Sequence, residues 1–200
     1  MATYRTIDRP VGGSAEAELV VSRSRFLARA CRVEDEASAR AFITDVRSID
    51  HDARHHCTAF VIGPDGSLRR SNDDGEPSGT AGRPMLEVLG GSEVSDVVVV
   101  VTRWFGGILL GTGGLARAYA DATGAALDVA GTRRRVLWQR ARIVAPITEV
   151  GVLESRLRRD TDVVDVAYEA DRVTWTVAVA DLDVLDRLPH EVMEPVWRDA

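Results

Sequence analysis

The run Val97–Thr102, five valines and a threonine in succession, constrains this chain more than any other stretch. β-Branched residues favour extended backbone, and a run without polar alternation reads as a strand covered on both faces rather than a sheet edge. It leads into RWFGGILLGTGGLARAY, Arg103 to Tyr119, with five glycines in seventeen residues. The spacing then predicts a helix from about Thr112 to Ala130, with Leu115, Tyr119, Ala122, Ala126 and Val129 on its inner face.

Composition bounds what surrounds this unit. Two hundred residues, 45% of them hydrophobic, suit two cores, given domains of roughly 100–150 residues. The net charge is −6, with 14 arginines and 18 acidic residues before position 131 and 11 and 13 after it, so the halves carry −4 and −2. Neither has the cationic excess of a protein that coats nucleic acid, and any RNA contact must be local. Every basic residue is arginine, which removes Schiff-base and P-loop lysines from consideration. Cys31 and Cys57 are too few for a disulfide scaffold, no signal segment opens the chain, and its apolar runs are too short for a membrane helix. These features predict a cytoplasmic protein with no membrane contact.

Residues 1–130 form the first predicted domain. AEAELVVSRSRFLARACRV reads as one or two strands with a turn at Ser22–Arg25, and DEASARAFITDVRSI as a helix. HCTAFVIGPDGSLRRSND has the form of a hairpin turning at Gly63–Gly66, and Pro84 suits the first turn of a short helix through Leu89. Residues 131–200 form the second: RRVLWQRARIVAP, TEVGVLESRLRRD, DVVDVAYE, RVTWTVAVA, DLDVLDRLPHEV and EPVWR follow the order βαββαβ, a ferredoxin-like split βαβ.

Several constellations bear on chemistry. GTGGLA, Gly111–Ala116, fits a dinucleotide fingerprint alone, but six residues separate it from its strand and no acidic strand tip follows. Thr112 can cap the helix and leave the N–H groups of Gly113 and Gly114 facing an anion, with Arg103 and Arg117 nearby. Close packing explains the glycines equally well. Asp73, Asp74 and Glu76 offer a weak Mg²⁺ site or simply a turn, without EF-hand spacing. Ser78, Thr80 and the amides of Gly79–Gly82 form a candidate second anion nest beside Arg83. In HDARHHC, alternation puts His56 and Cys57 on opposite faces. Zinc is therefore disfavoured, Cys57 reads as a buried inert thiol with Ala59 and Val61, and His51 or His55 as a polar pocket group. The arginines at 133–135 and at 156, 158 and 159, near Trp138, are either an RNA surface or a solvated face.

DDGEPSGTAGRPML, VVVVTRWFGGILLGTGGLARAYADA, SRSRF and DARHHC together resemble the YigZ-like bacterial branch of the IMPACT family, over about Arg23–Ala130. The resemblance implies an α+β protein: a first domain like the second domain of ribosomal protein S5, then a ferredoxin-like domain. Trp104 stands where the family commonly has tyrosine, and His56 where asparagine is frequent. Eukaryotic relatives act on translational control through a protein partner that otherwise activates a stress kinase. The resemblance implies no demonstrated chemistry, no catalytic residue and no cofactor. Three functions stay open: a translation-associated regulator contacting RNA, the ribosome or a translation protein through a glycine- and arginine-rich surface; a Mg²⁺-dependent enzyme or binder of a small phosphorylated or nucleotide ligand; and a protein-binding regulator without a ligand.

Overall fold

The computed structural model describes residues 2–200. They divide into two compact units, Tyr4–Arg134 and Arg135–Ala200, the second taking in residues 2–3. No helix among the described residues is long and apolar enough to cross a membrane.

A short strand, β1 (Thr3–Ile7), opens the chain where the sequence reads only as a polar start; it sets Ile7 into the core. Next come β2 (Ser14–Val21) and β3 (Ser24–Arg32), joined by Ser22 and Arg23 at φ 46° and 65°. Two consecutive left-handed residues make the turn whose twist matches that of antiparallel strands. Helix α1 (Glu36–Ile49) follows, capped by Asp35, whose carboxylate accepts from Ser38 N at 2.7 Å. The hairpin β4 (His55–Ile62) and β5 (Leu68–Asn72), helix α2 (Gly82–Gly91), β6 (Val97–Trp104) and α3 (Gly111–Ala130) complete the unit.

All pairings in its sheet are antiparallel, in the order β2-β3-β6-β4-β5. The valine run is central, and Val97–Val101 are fully buried. Val97, Val99 and Val101 face Met85 and Leu89 of α2 and Leu115 and Tyr119 of α3. Val98 faces the other way, with Cys31, Phe60 and Ala39 of α1. Helices on both faces are what an all-apolar strand requires. On α3 the inner face matches the helical spacing except at Val129, which is exposed; Leu127 and Ala130 are buried instead.

The second unit holds β7 (Thr132–Pro146) from Arg135 onward, α4 (Val150–Asp160), β8 (Asp162–Tyr168), β9 (Arg172–Val179) and β10 (Glu191–Asp199). Its strands pair antiparallel in the order β10-β7-β9-β8. Leu153 and Leu157 of α4 pack on Ile143, Trp175 and Leu185. DLDVLDRLPHEV is not the predicted helix: only Leu182–Leu185 form a single 3-10 turn. Pro189 has no N–H to continue a helical ladder beyond it.

Candidate functional site

The site lies at one end of the first unit's sheet. Arg103 is the penultimate residue of β6, opposite Phe26 of β3 and His55 of β4. Its guanidinium Nη1 donates to Glu76 Oε1 at 2.7 Å, and Tyr119 OH of α3 donates to the same oxygen at 2.8 Å. Both charged side chains are buried, Arg103 at 7% exposure and Glu76 at 4%. A charge pair removed from water persists only where further hydrogen bonds support it, and the Tyr119 hydroxyl supplies one. Ser24 Oγ lies 3.4 Å from Arg103 Nη2 and accepts from Gly106 N at 3.2 Å, fixing the start of the glycine-rich loop. Phe26 meets Tyr119 edge to face, centroids 5.2 Å apart, and Arg103 sits above Phe26 and Phe105.

Cys57 lies behind this group, fully buried, with Sγ donating to Asp73 O at 3.0 Å. Burial pushes its thiol up to about 12. Burial, then Cys57 and Glu76, also raise the Tyr119 hydroxyl above its usual range. Neither ionises near neutrality.

Beside the pair opens a cavity of about 400 Å³, lined by Arg54, His55 and Pro77 together with Phe105, Leu109, Leu110, Thr112 and Leu115. Phe105, Ile108 and Leu109 of the loop between β6 and α3 stand 49%, 43% and 87% exposed. Thr112 lies within the first turn of α3 rather than capping it. The helix starts at Gly111, and Leu110 before it offers no side-chain cap. The amides of that turn therefore lack helical acceptors.

The three carboxylates considered for Mg²⁺ point three ways. Asp73 accepts from the backbone N–H groups of Gly79, Ala81 and Gly82 at 2.8–3.0 Å. The nest drawn around Ser78 and Thr80 thus forms, but its anion is Asp73 of the same chain. Thr80 donates its hydroxyl to Pro77 O at 2.6 Å, and Ser78 is exposed. Burial alone would raise the Asp73 carboxyl; the three amides hold it below its ordinary value. Asp74 turns to the α1 face, where Arg47 Nη2 and His56 N each donate to it at 2.6 Å. Glu76 is committed to Arg103. No group of three metal-ligating side chains occurs among the described residues.

The remaining candidates separate. Arg83 pairs with Glu87 one turn along α2, at 2.9 Å, and is exposed. Arg103 is buried at the end of the sheet, whereas Arg83 and Arg117 are exposed on α2 and α3. His55 lines the cavity with Nδ1 2.8 Å from Asp74 O, whereas His51 is exposed outside it. Arg133 pairs with Asp8, and Arg158 with Glu154. Ser24, Arg54 and the loop apolars were not singled out from sequence, and Tyr119 was read only as a core position of its helix. A tyrosine on an otherwise aliphatic helix face was the one usable signal, since its buried hydroxyl needs a partner.

On the α1 face a second buried network joins Arg29 to Asp50. Thr102 Oγ1 donates to Asp50 at 2.9 Å, His56 Nε2 lies 3.1 Å from Asp50 O, and Arg29 Nε reaches Glu16 at 2.9 Å. Every one of these polar groups has a partner, which marks the network as scaffold.

Fold and site together define an α+β protein with a ligand-sized cavity beside a glycine-rich turn at the end of an antiparallel sheet. The model of the Impact N-terminal domain matches residues 22–127, which include every residue of that cavity. The chain belongs to the IMPACT family. It is 39% identical over 168 residues to the IMPACT family member YvyE of Bacillus subtilis, covering 84% of this chain and 77% of that one. It is 47% identical over 117 residues to the family member YigZ of Escherichia coli, covering 58% and 57%. Among solved structures, a chain described as a hypothetical protein superposes with a TM-score of 0.68 at 32% identity, covering 97% of this chain and 98% of that one. Another, described as the two-domain translational regulator Yih1, matches 60% of this chain and 48% of its own, at 29% identity and a TM-score of 0.41.

Proposed function

We propose that this chain is a translation-associated regulator of the cytoplasm that works by binding a protein partner through the cavity and the Phe105–Leu110 loop. One observation carries this reading: Phe105, Ile108 and Leu109 are all exposed on one short loop, and Phe105 and Leu109 line the cavity. Apolar side chains gathered in this way on a soluble surface mark an interaction site. Family membership supports the translational setting. The finer fold assignment belongs to the same reading: an S5 domain 2-like first unit, and a ferredoxin-like second unit in the order β10-β7-β9-β8 whose second helix has shrunk to a turn.

A ribosomal or RNA contact is the second reading, favoured by Arg117, which is exposed next to the uncapped start of α3. The two separate in one experiment. Affinity capture from a cell extract, with and without ribonuclease, is run with the natural chain and with Leu109→Glu. One stoichiometric protein that survives ribonuclease and is lost with Leu109→Glu supports the protein partner. Capture abolished by ribonuclease and indifferent to Leu109→Glu overturns it in favour of RNA.

A further inference from the structure

The cavity beside α3 is lopsided in its chemistry. Phe105, Leu109, Leu110 and Leu115 make one wall apolar. Around the rest, donors outnumber acceptors. Arg54 is exposed at the mouth and engages no other side chain. Arg103 is buried yet incompletely satisfied: Nη1 reaches Glu76, Nη2 reaches only Ser24 at 3.4 Å, and Nε has no partner. The first-turn amides of α3 add donors with the helix dipole behind them. Against these stand few side-chain acceptors: Glu76 Oε2, because Oε1 takes both hydrogen bonds, the Thr112 hydroxyl, and His55 Nε2, whose ring gives its Nδ1 proton to Asp74 O.

We propose that the cavity binds an apolar molecule ending in a carboxylate. The carboxylate sits against the first-turn amides of α3 and Arg54, and the hydrocarbon part lies among Phe105, Leu109, Leu110 and Leu115. Phosphate suits this cavity poorly, because an apolar wall would strip water from a dianion without replacing its hydrogen bonds. The same chemistry has two sources, a free small carboxylic acid or the C-terminal residue of another protein chain. This inference rests on the reading of cavity and loop as the binding surface, and names the chemistry recognised there.

The test is calorimetry and amide NMR on the full chain with four probes: N-acetyl-L-leucine, N-acetyl-L-leucinamide, inorganic phosphate, and an acetylated hexapeptide ending in leucine with a free carboxylate. The expected result is that N-acetyl-L-leucine binds, moving the Thr112 and Gly113 amide signals, and that its amide is weaker by about tenfold or more. Arg54→Gln, at an exposed position, should weaken the acid by about tenfold and leave the amide unchanged. A hexapeptide binding more tightly than N-acetyl-L-leucine identifies a chain terminus as the source; equal binding identifies the free acid. The proposal is overturned if acid and amide bind alike, if phosphate binds more tightly than the acid, or if neither carboxylate probe moves those signals at about 10 mM. Should Leu109→Glu abolish partner capture while no carboxylate binds, the binding surface stands and the carboxylate falls.

Discussion

Arg103 and Glu76 meet at 2.7 Å with both side chains more than nine-tenths buried, one from the central strand and the other from the loop after β5. Removing one partner strands the other charge away from water. Glu76→Ala should therefore cost about 3–5 kcal/mol, whereas the double replacement Glu76→Leu with Arg103→Met should recover much of that loss. Urea denaturation of the single and double variants measures both.

Acid should weaken the first unit through Asp73 and Asp50. Burial opposes both ionised carboxylates, but the amides around Asp73, and Arg29 and Thr102 around Asp50, leave each below its ordinary value. A carboxyl lowered in the folded state contributes fully above its unfolded value of about 4, and that contribution drains as pH falls through the lower folded value. Unfolding free energy should thus decline below about pH 4, less steeply in Asp73→Asn. Asp73→Ala should cost about 1–3 kcal/mol at neutral pH, through amides left without an acceptor. Denaturation curves across pH 2.5–7, roughly the span in which carboxylates titrate, check the sign and the slope.

Cys57 and Cys31 should be silent toward thiol reagents in the folded protein. Burial holds their thiols at about 12 and about 11, so almost no thiolate is present at neutral pH. Labelling with a chromogenic disulfide should proceed only as fast as the chain opens, and should accelerate sharply in denaturant. Rapid labelling of two thiols under native conditions would contradict this.

Two glycines of the same segment should respond in opposite ways. A Cβ on Gly106 would lie 2.0 Å from the carbonyl carbon and oxygen of Arg23, which are backbone atoms of a tight turn. Gly106→Ala should cost about 3 kcal/mol or more. Gly113→Ala meets open space and improves helix propensity, so it should be neutral or stabilising by up to about 1 kcal/mol. Thermal melts of the two variants compare them directly.

The central strand was legible because six β-branched residues admit few environments, and the inner face of α3 because alanines and leucines recur at helical spacing. Cys57, Ala59 and Val61 share a buried face as their alternation implied. β1 was hidden because its strand is mostly polar. The 3-10 turn at Leu182–Leu185 was misread because DLDVLDRL carries helical spacing that Pro189 cuts short. At the site, composition located the glycine-rich segment but not its partners. Arg103 looks like an exposed cation until the register of β6 carries it inward, and the divergence of Asp73, Asp74 and Glu76 depends on turns that side-chain type alone does not reveal.

That divergence gives the acidic loop a particular mechanical character. Within four residues Asp73 holds the start of α2, Asp74 reaches Arg47 on α1 beneath the sheet, and Glu76 reaches β6 and α3 above it. The loop is a knot tying both layers of helices to one point on the sheet rim. Only two bonded steps along the backbone, through Gly75, separate the tether facing the cavity from the tether on the opposite side, so the knot leaves little slack between the two layers.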